Sequence, residues 1–158
     1  MLPAPPWPPG HSPEGAPVFA RNEGTVSIPP EQVWQLLIDA TSWPQWYRNA
    51  RKVVLDRGDR LGPGSSFRWT TFGLRVRSTV TAFEPHSFLA WDGRALGSSG
   101  YHRWLLEPTA DGGTRVVTEE VQTGVSARLL GWWMRPGLLR EHQHWISQLD
   151  HADVRGTR

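Results

Sequence analysis

The chain has 158 residues, 38% of them hydrophobic, with a formal net charge of +2 and no cysteine. That length suits one domain with room for a core and for a cavity inside it. Disulfides, thiolate nucleophiles and Cys-ligated zinc are excluded. No apolar run approaches the roughly 20 residues that span a bilayer, and no charged segment precedes a greasy one at the N-terminus. The expectation is a soluble, cytoplasmic protein without membrane insertion. A pI near 9.7 invites a nucleic-acid reading. However, Arg51, Arg68, Arg75, Arg77, Arg94, Arg103 and Arg115 stand singly between apolar residues, whereas phosphate tracking needs a contiguous basic stripe. No nucleic-acid partner is expected. The unusual number is ten Trp, several times ordinary usage.

In chain order, residues 1–17 (MLPAPPWPPGHSPEGAP) hold seven prolines and no periodicity, which predicts a disordered arm. The folded domain is expected over 18–152, with 153–158 a flexible tail. A loose alternation from Val18 to Ile28 predicts the first strand. PPEQVWQLLIDA then opens with prolines and Glu31 and carries the stripe Val33, Leu36, Leu37 and Ala40, which predicts a short amphipathic helix. SWPQWYRN follows, and the residue before Pro44 is pushed away from α geometry, so the helix should end there in a turn.

Six segments of period two come next: Val53–Asp56, Ser66–Phe72, Leu74–Phe83, Phe88–Asp92, Tyr101–Glu107 and Arg115–Gln122. Such short connections, with no helices between, predict an antiparallel meander. The segment VSARLLGWWMRPGLLREHQHWISQLDHA has helical spacing, with Leu138, His142, Trp145, Leu149 and Ala152 on one stripe. Pro136 should kink or break it, leaving a first piece with Leu129, Leu130 and Trp133. The fold class is thus α+β, a curved sheet that buries its apolar face against one long C-terminal helix.

Strand faces follow from which alternation is more apolar. Phe67, Trp69 and Thr71 should point inward, as should Leu74, Val76, Ser78 and Val80, and Leu89 and Trp91. For Tyr101–Glu107 the set His102, Trp104 and Leu106 lacks a permanent charge and is placed inside. The last strand is ambiguous: composition slightly favours Val117, Glu119 and Val121 inside over Val116, Thr118, Glu120 and Gln122.

The order of elements, with VWQLLIDATSWPQWYRNARKVVL, LGPGSSFRW, STVTAFEPHSFLAWDG, HRWLLEPTADGGTRVVTEE and HQHWISQL, resembles the START-like helix-grip (SRPBCC) superfamily. Its polyketide cyclase/dehydrase and lipid-transport branch is the most similar. The resemblance covers about residues 18–152. It implies a helix-grip fold, about seven antiparallel strands around the C-terminal helix with short helices after the first strand, enclosing an apolar cavity. It also implies that the last strand turns Val116 inward. A hairpin through EPTADGG can then set Leu106 opposite Val116, Trp104 opposite Thr118 and His102 opposite Glu120, placing Glu120 inside and Glu119 outside. The family's recurring Trp matches Trp46, which is expected as a structural plug, with Trp43 stapling the turn and the Tyr47 hydroxyl near the cavity mouth.

His142 shares its stripe with Leu138, Trp145 and Leu149 and should face the sheet. His102, Glu120 and His142 could then converge among Trp69, Trp91 and Trp104. A carboxylate and two imidazoles in apolar surroundings can orient a ligand's polar atom or act as acid and base. Trp69, Val76, Val80, Trp91 and Trp104 from the strands, Trp133, Leu138, Trp145 and Leu149 from the helix, and Tyr47 are the candidate ligand contacts. His142 and His144, two apart on a helix, point apart and argue against a metal site there. No phosphate-binding, dinucleotide or nucleophile-elbow motif is present, so no cofactor or metal is expected.

These features lead to a protein that encloses a hydrophobic small molecule, lipid-like, aromatic or polyketide-like, as monomer or homodimer. The first alternative is a cofactor-independent cyclase or dehydratase in which Glu120 or His142 removes a proton α to a carbonyl. A protein-interaction module, such as a chaperone cofactor, is the second. It would need a filled core and an exposed apolar patch.

Overall fold

The computed structural model describes residues 5–152, so the expected tail at 153–158 lies outside the described residues. The strands are β1 (Val18–Val26), β2 (Arg51–Leu55), β3 (Ser66–Thr71), β4 (Leu74–Glu84), β5 (Phe88–Ala95), β6 (Ser98–Pro108) and β7 (Thr114–Gly124). They form one antiparallel sheet in the order β1-β7-β6-β5-β4-β3-β2. Between β1 and β2 come α1 (Pro30–Ile38), a 3-10 turn (Ala40–Ser42) and α2 (Trp43–Trp46); α3 (Val125–Leu149) follows β7. This is the helix-grip arrangement. Register shifts in β4 between Val80 and Ala82, and in β2 between Arg51 and Val54, bend the sheet, as extra residues on one strand do.

Two tight turns keep the meander short. Phe72 and Gly73 have φ of 50° and 75°, and Leu96 and Gly97 of 35° and 75°, the positive pair that a two-residue hairpin matched to strand twist requires. The first turn was legible as FG. The second lies inside what read as a loop, so β5 and β6 run on to Ala95 and back to Ser98. At the β7–α3 junction Gly124 has φ 101°, and a Cβ there would stand 2.4 Å from the Gly97 carbonyl oxygen. Glycine is required by both conformation and space.

α3 lies across β1 through two more close approaches. A Cβ on Gly131 would come within 2.7 Å of Val18 Cγ2, and one on Gly24 within 2.9 Å of Ile146 Cγ2. The helix is continuous for 25 residues with Pro136 inside it, so the expected break is not made. Pro136 and Trp132 are both exposed, and the Trp132 carbonyl that loses its partner can therefore bond to water.

The aromatic stretch after α1 also differs from expectation. Trp43 adopts helical φ/ψ of −48° and −43° despite preceding Pro44, and it, not Trp46, is the plug. Its ring is fully buried and meets Phe67, Trp69, Trp91 and Trp145 at centroid distances of 5.8, 5.5, 5.6 and 5.2 Å. Its Nε1–H donates to the Leu36 carbonyl at 3.2 Å. Trp46 is half-buried and bonds locally to Ser42 Oγ.

The arm was expected to be disordered. Residues 5–17 do lack a regular element, but they lie on the outer face of the sheet. Trp7 packs edge-on to Phe19 and Tyr101 and lies 3.6 Å beneath the Arg103 guanidinium. Arg103 Nη1 donates to the Pro5 carbonyl and His11 Nε2 lies 3.4 Å from Ser99 Oγ. Removing the central indole should cost most: Trp43→Ala is expected to lower unfolding free energy by roughly 3–5 kcal/mol in chemical denaturation. Trp46→Ala should cost less than half as much, and equal losses would show that both indoles hold the core.

Candidate functional site

β6, β7 and α3 each bring one polar group to the inner face. The hairpin pairs Leu106 with Val116, Trp104 with Thr118 and His102 with Glu120, the register that carries Glu120 inward. Glu119 points the other way, where Arg103 Nε and Nη2 each donate to its Oε2 at 2.6 Å. His142, one turn before Trp145 on α3, completes the group. Its Nε2 lies 3.0 Å from Glu120 Oε2, and His102 Nδ1 lies 3.6 Å from the same oxygen. The two imidazoles stack at 4.7 Å. His102 Nε2 is 2.6 Å from Thr118 Oγ1, and Gln122 Nε2 donates to Glu120 Oε1 at 2.7 Å.

Burial, reinforced by the neighbouring His142 and opposed by Glu120, pulls the His102 pKa far down, to about 3. That imidazole is neutral at ordinary pH. Burial alone would raise the Glu120 carboxyl, but the hydrogen bond from His142, the electrostatic attraction of the two imidazole rings and the Gln122 amide outweigh it. The group is held below the usual carboxylate range. Tyr47 is pushed above its ordinary value by burial and stays a neutral hydroxyl, bonded from Asn49 Nδ2 at 3.1 Å.

The triad borders a cavity of about 600 Å³ between α3 and the sheet. Of the expected contacts, Tyr47, Trp69, Val76, Trp91, Leu138 and Trp145 line it. Trp133 does so only at the mouth, 70% exposed beside Leu130 and Met134. Val80, Trp104 and Leu149 do not: they are buried in the core behind the wall. Trp104 stacks on His102 at 5.3 Å and meets Trp145 edge-on at 4.9 Å, so it supports the site from behind.

The space itself comes from residues without an assigned role. Gly93 and Gly100 are cross-strand partners on β5 and β6, and both line the cavity. A Cβ on Gly93 would press on Val76 Cγ1 at 3.1 Å and Ser78 Oγ at 3.3 Å. The available signal was a glycine at an inward position of a strand, which marks a bulge or a close approach. Ser78 also fixes the wall by accepting the Trp69 Nε1–H at 3.1 Å.

The depressed His102 pKa has a defined consequence for stability. Between the unfolded value of 6.5 and the folded value of about 3, the unfolded chain binds a proton that the native chain does not. Stability therefore falls as pH falls through this window. His102→Gln, whose amide can still bond to Thr118, should flatten the decline between pH 6.5 and 5 by at most about 1.4 kcal/mol per pH unit. Denaturant midpoints across that range check it; identical slopes would mean that His102 is protonated in the native state.

Residues 20–147 match the family model described as polyketide cyclase / dehydrase and lipid transport. A hypothetical protein of Helicobacter pylori, jhp0584, superposes with a TM-score of 0.85 at 30% identity, covering 96% of each chain. The di-domain ARO/CYC StfQ from the steffimycin biosynthetic pathway superposes at 0.70 and 15% identity, over 85% of this chain and 50% of that one. A START superfamily protein of Mycobacterium smegmatis superposes at 0.63 and 12% identity, over 83% and 98%. An uncharacterized protein of Mycobacterium tuberculosis is 30% identical over 79 residues, half of this chain and 43% of its own length. The chain therefore spans less than half of that curated relative. With the seven-stranded grip, the inward polar triad and a family match across nearly all of the described domain, this chain belongs to the polyketide cyclase/dehydrase and lipid transport family.

Proposed function

We propose that this protein binds a hydrophobic small molecule, aromatic, lipid-like or polyketide-like, inside the cavity, with His102, Glu120 and His142 fixing the position of its polar atom. The observation that supports it most is the pairing of an indole-walled space of about 600 Å³ with one concentrated polar group at its edge. Ligand pockets have this anatomy: apolar area supplies affinity and a few convergent polar groups supply orientation. Trp69, Trp91 and Trp145 offer flat, rigid faces, which suits a planar or extended ligand. The cavity also counts against a pure interaction module, although the exposed Leu130 and Trp133 give the mouth an apolar rim.

A second reading, catalysis, draws on the anionic carboxylate beside a neutral imidazole. In it the cavity folds a polyketide-like chain, and Glu120 or His142 takes a proton α to a carbonyl. A fold shared with an ARO/CYC protein is consistent with this but carries no activity over at 15% identity.

Native mass spectrometry of protein purified from its own host should show a non-covalent small-molecule adduct. Val76→Phe, which fills the space from the β4 wall, should remove the adduct while leaving a folded domain. Absence of any adduct, together with no displaceable binding of an apolar fluorophore, would overturn the reading. For the catalytic alternative, Glu120→Gln/His142→Gln should abolish turnover of a polyketide-like substrate yet change apolar affinity by less than about threefold, since area rather than the polar group dominates it. A binding loss with no turnover in the wild type places the role in ligand orientation.

A further inference from the structure

We propose that His102 Nδ1, His142 Nε2 and Glu120 Oε2 form a three-ligand site for a divalent first-row transition ion such as Zn²⁺, with a fourth position open to the cavity. One ligand atom from each of the three residues lies within 4.8 Å of the others. Two of the three separations, 3.0 and 3.6 Å, already bracket the ~3.3 Å between ligands of a tetrahedral ion with bonds of about 2.0–2.1 Å. Helical spacing argued against a site using His142 and His144, and that objection does not reach a site assembled from three elements.

The hydrogen bonding around His102 supports the same conclusion. When its Nε2–H donates to Thr118 Oγ1 at 2.6 Å, the Nδ1 lone pair faces a carboxylate oxygen 3.6 Å away. Two lone pairs facing each other repel, and a cation between them reverses the sign. Thr118 then acts as the outer partner that fixes tautomer and ring orientation, a usual companion of a ligating His. Two imidazoles and one carboxylate suit zinc, cobalt, nickel or ferrous iron better than calcium or magnesium, which prefer all-oxygen sets. Trp91 and Trp104, with ring centroids 5.0 and 5.3 Å from the His102 ring, leave the ion's remaining position to face the cavity, where a ligand's carbonyl, enolate or hydroxyl oxygen can reach it. The inference builds on the reading of this triad as the orienting end of the cavity, and gives the ligand's oxygen a metal to bind.

The test is titration of chelator-stripped, full-length protein with Co²⁺, followed by calorimetry and visible absorption, with no organic ligand present. One Co²⁺ per chain with the strong absorption of a four- or five-coordinate ion is expected. It should be lost in Glu120→Gln and His142→Gln and kept in His144→Gln. Thr118→Val, which keeps all three ligands, should bind about 10–100-fold more weakly. Should a ligand variant fail to fold, X-ray absorption of the zinc-loaded wild type decides: two imidazoles and a carboxylate are expected, and any other donor set overturns the site. No saturable uptake by the wild type, or uptake unchanged in both ligand variants, also overturns it. An apolar fluorophore titrated into the same metal-free protein separates the two proposals. Fluorophore binding without Co²⁺ uptake refutes the metal site alone, and uptake without fluorophore binding refutes the apolar ligand alone.

Discussion

A carboxylate placed under an aromatic helix must be partnered or it cannot stay charged, and Glu120 imposes that condition on most of the fold. Its partners come from β6, β7 and α3: His102, Gln122 and His142. The β6–β7 register, the inward face of β7 and the rotation of α3 must therefore all be correct together. A slip of one residue would send Glu120 out of the cavity and bring Glu119 in. The opposite face reinforces the same register, because Glu119 is held there by Arg103 on β6 and Arg21 on β1. Adjacent acids on one strand, each matched to a different cation or imidazole, thus specify a single pairing.

Much of this was legible in the sequence because it depends on period and composition. Strand alternation placed His102, Trp104 and Leu106 inside, but on the last strand composition slightly favoured Glu119, and it was the resemblance to the family, with a hairpin length that permits the pairing, that turned Val116 and Glu120 inward. What escaped was set by contacts between distant segments. Trp43 and Trp46 flank the same proline, and only the approach of β3, β5 and α3 selects Trp43 as the plug. Pro136 reads as a helix breaker locally, yet α3 passes through it on an exposed side where a lost backbone bond costs little. Val80, Trp104 and Leu149 share faces with true cavity residues, but alternation assigns a face and not a depth. The Pro-rich arm has no periodicity to read. Its anchor is a single indole, Trp7, against Arg103 and Tyr101.

The indole content takes on a physical meaning once the cavity is in view. Close-packed interiors leave few voids larger than a water molecule, so a hole of this size needs walls that do not collapse into it. Trp43, Trp69, Trp91, Trp104 and Trp145 lock one another edge to face and at tilted angles, and none can swing inward without breaking contacts to the others. Gly93 and Gly100, side by side on adjacent strands, leave the volume where two side chains would otherwise stand. Rigid rings around a glycine pair maintain an open space that flexible aliphatic side chains would fill.

The two faces of the sheet also separate two uses of a buried charge. On the outer face Arg103 meets Glu119 through two nitrogens, is capped by Trp7 and bonds to the Pro5 carbonyl. Its bonding capacity is absorbed by the protein itself, as a structural ion pair requires. On the inner face His142 Nδ1 has no protein partner, His102 Nδ1 stands at 3.6 Å from the carboxylate, beyond ordinary hydrogen-bond length, and the group borders open volume. A polar network kept for stability alone is better served by the first arrangement, because unsatisfied members make a buried network worse than an apolar core. The inner cluster leaves the gap between His102 Nδ1 and Glu120 Oε2 open at the edge of a cavity, where an ion or a ligand's polar atom can fill it.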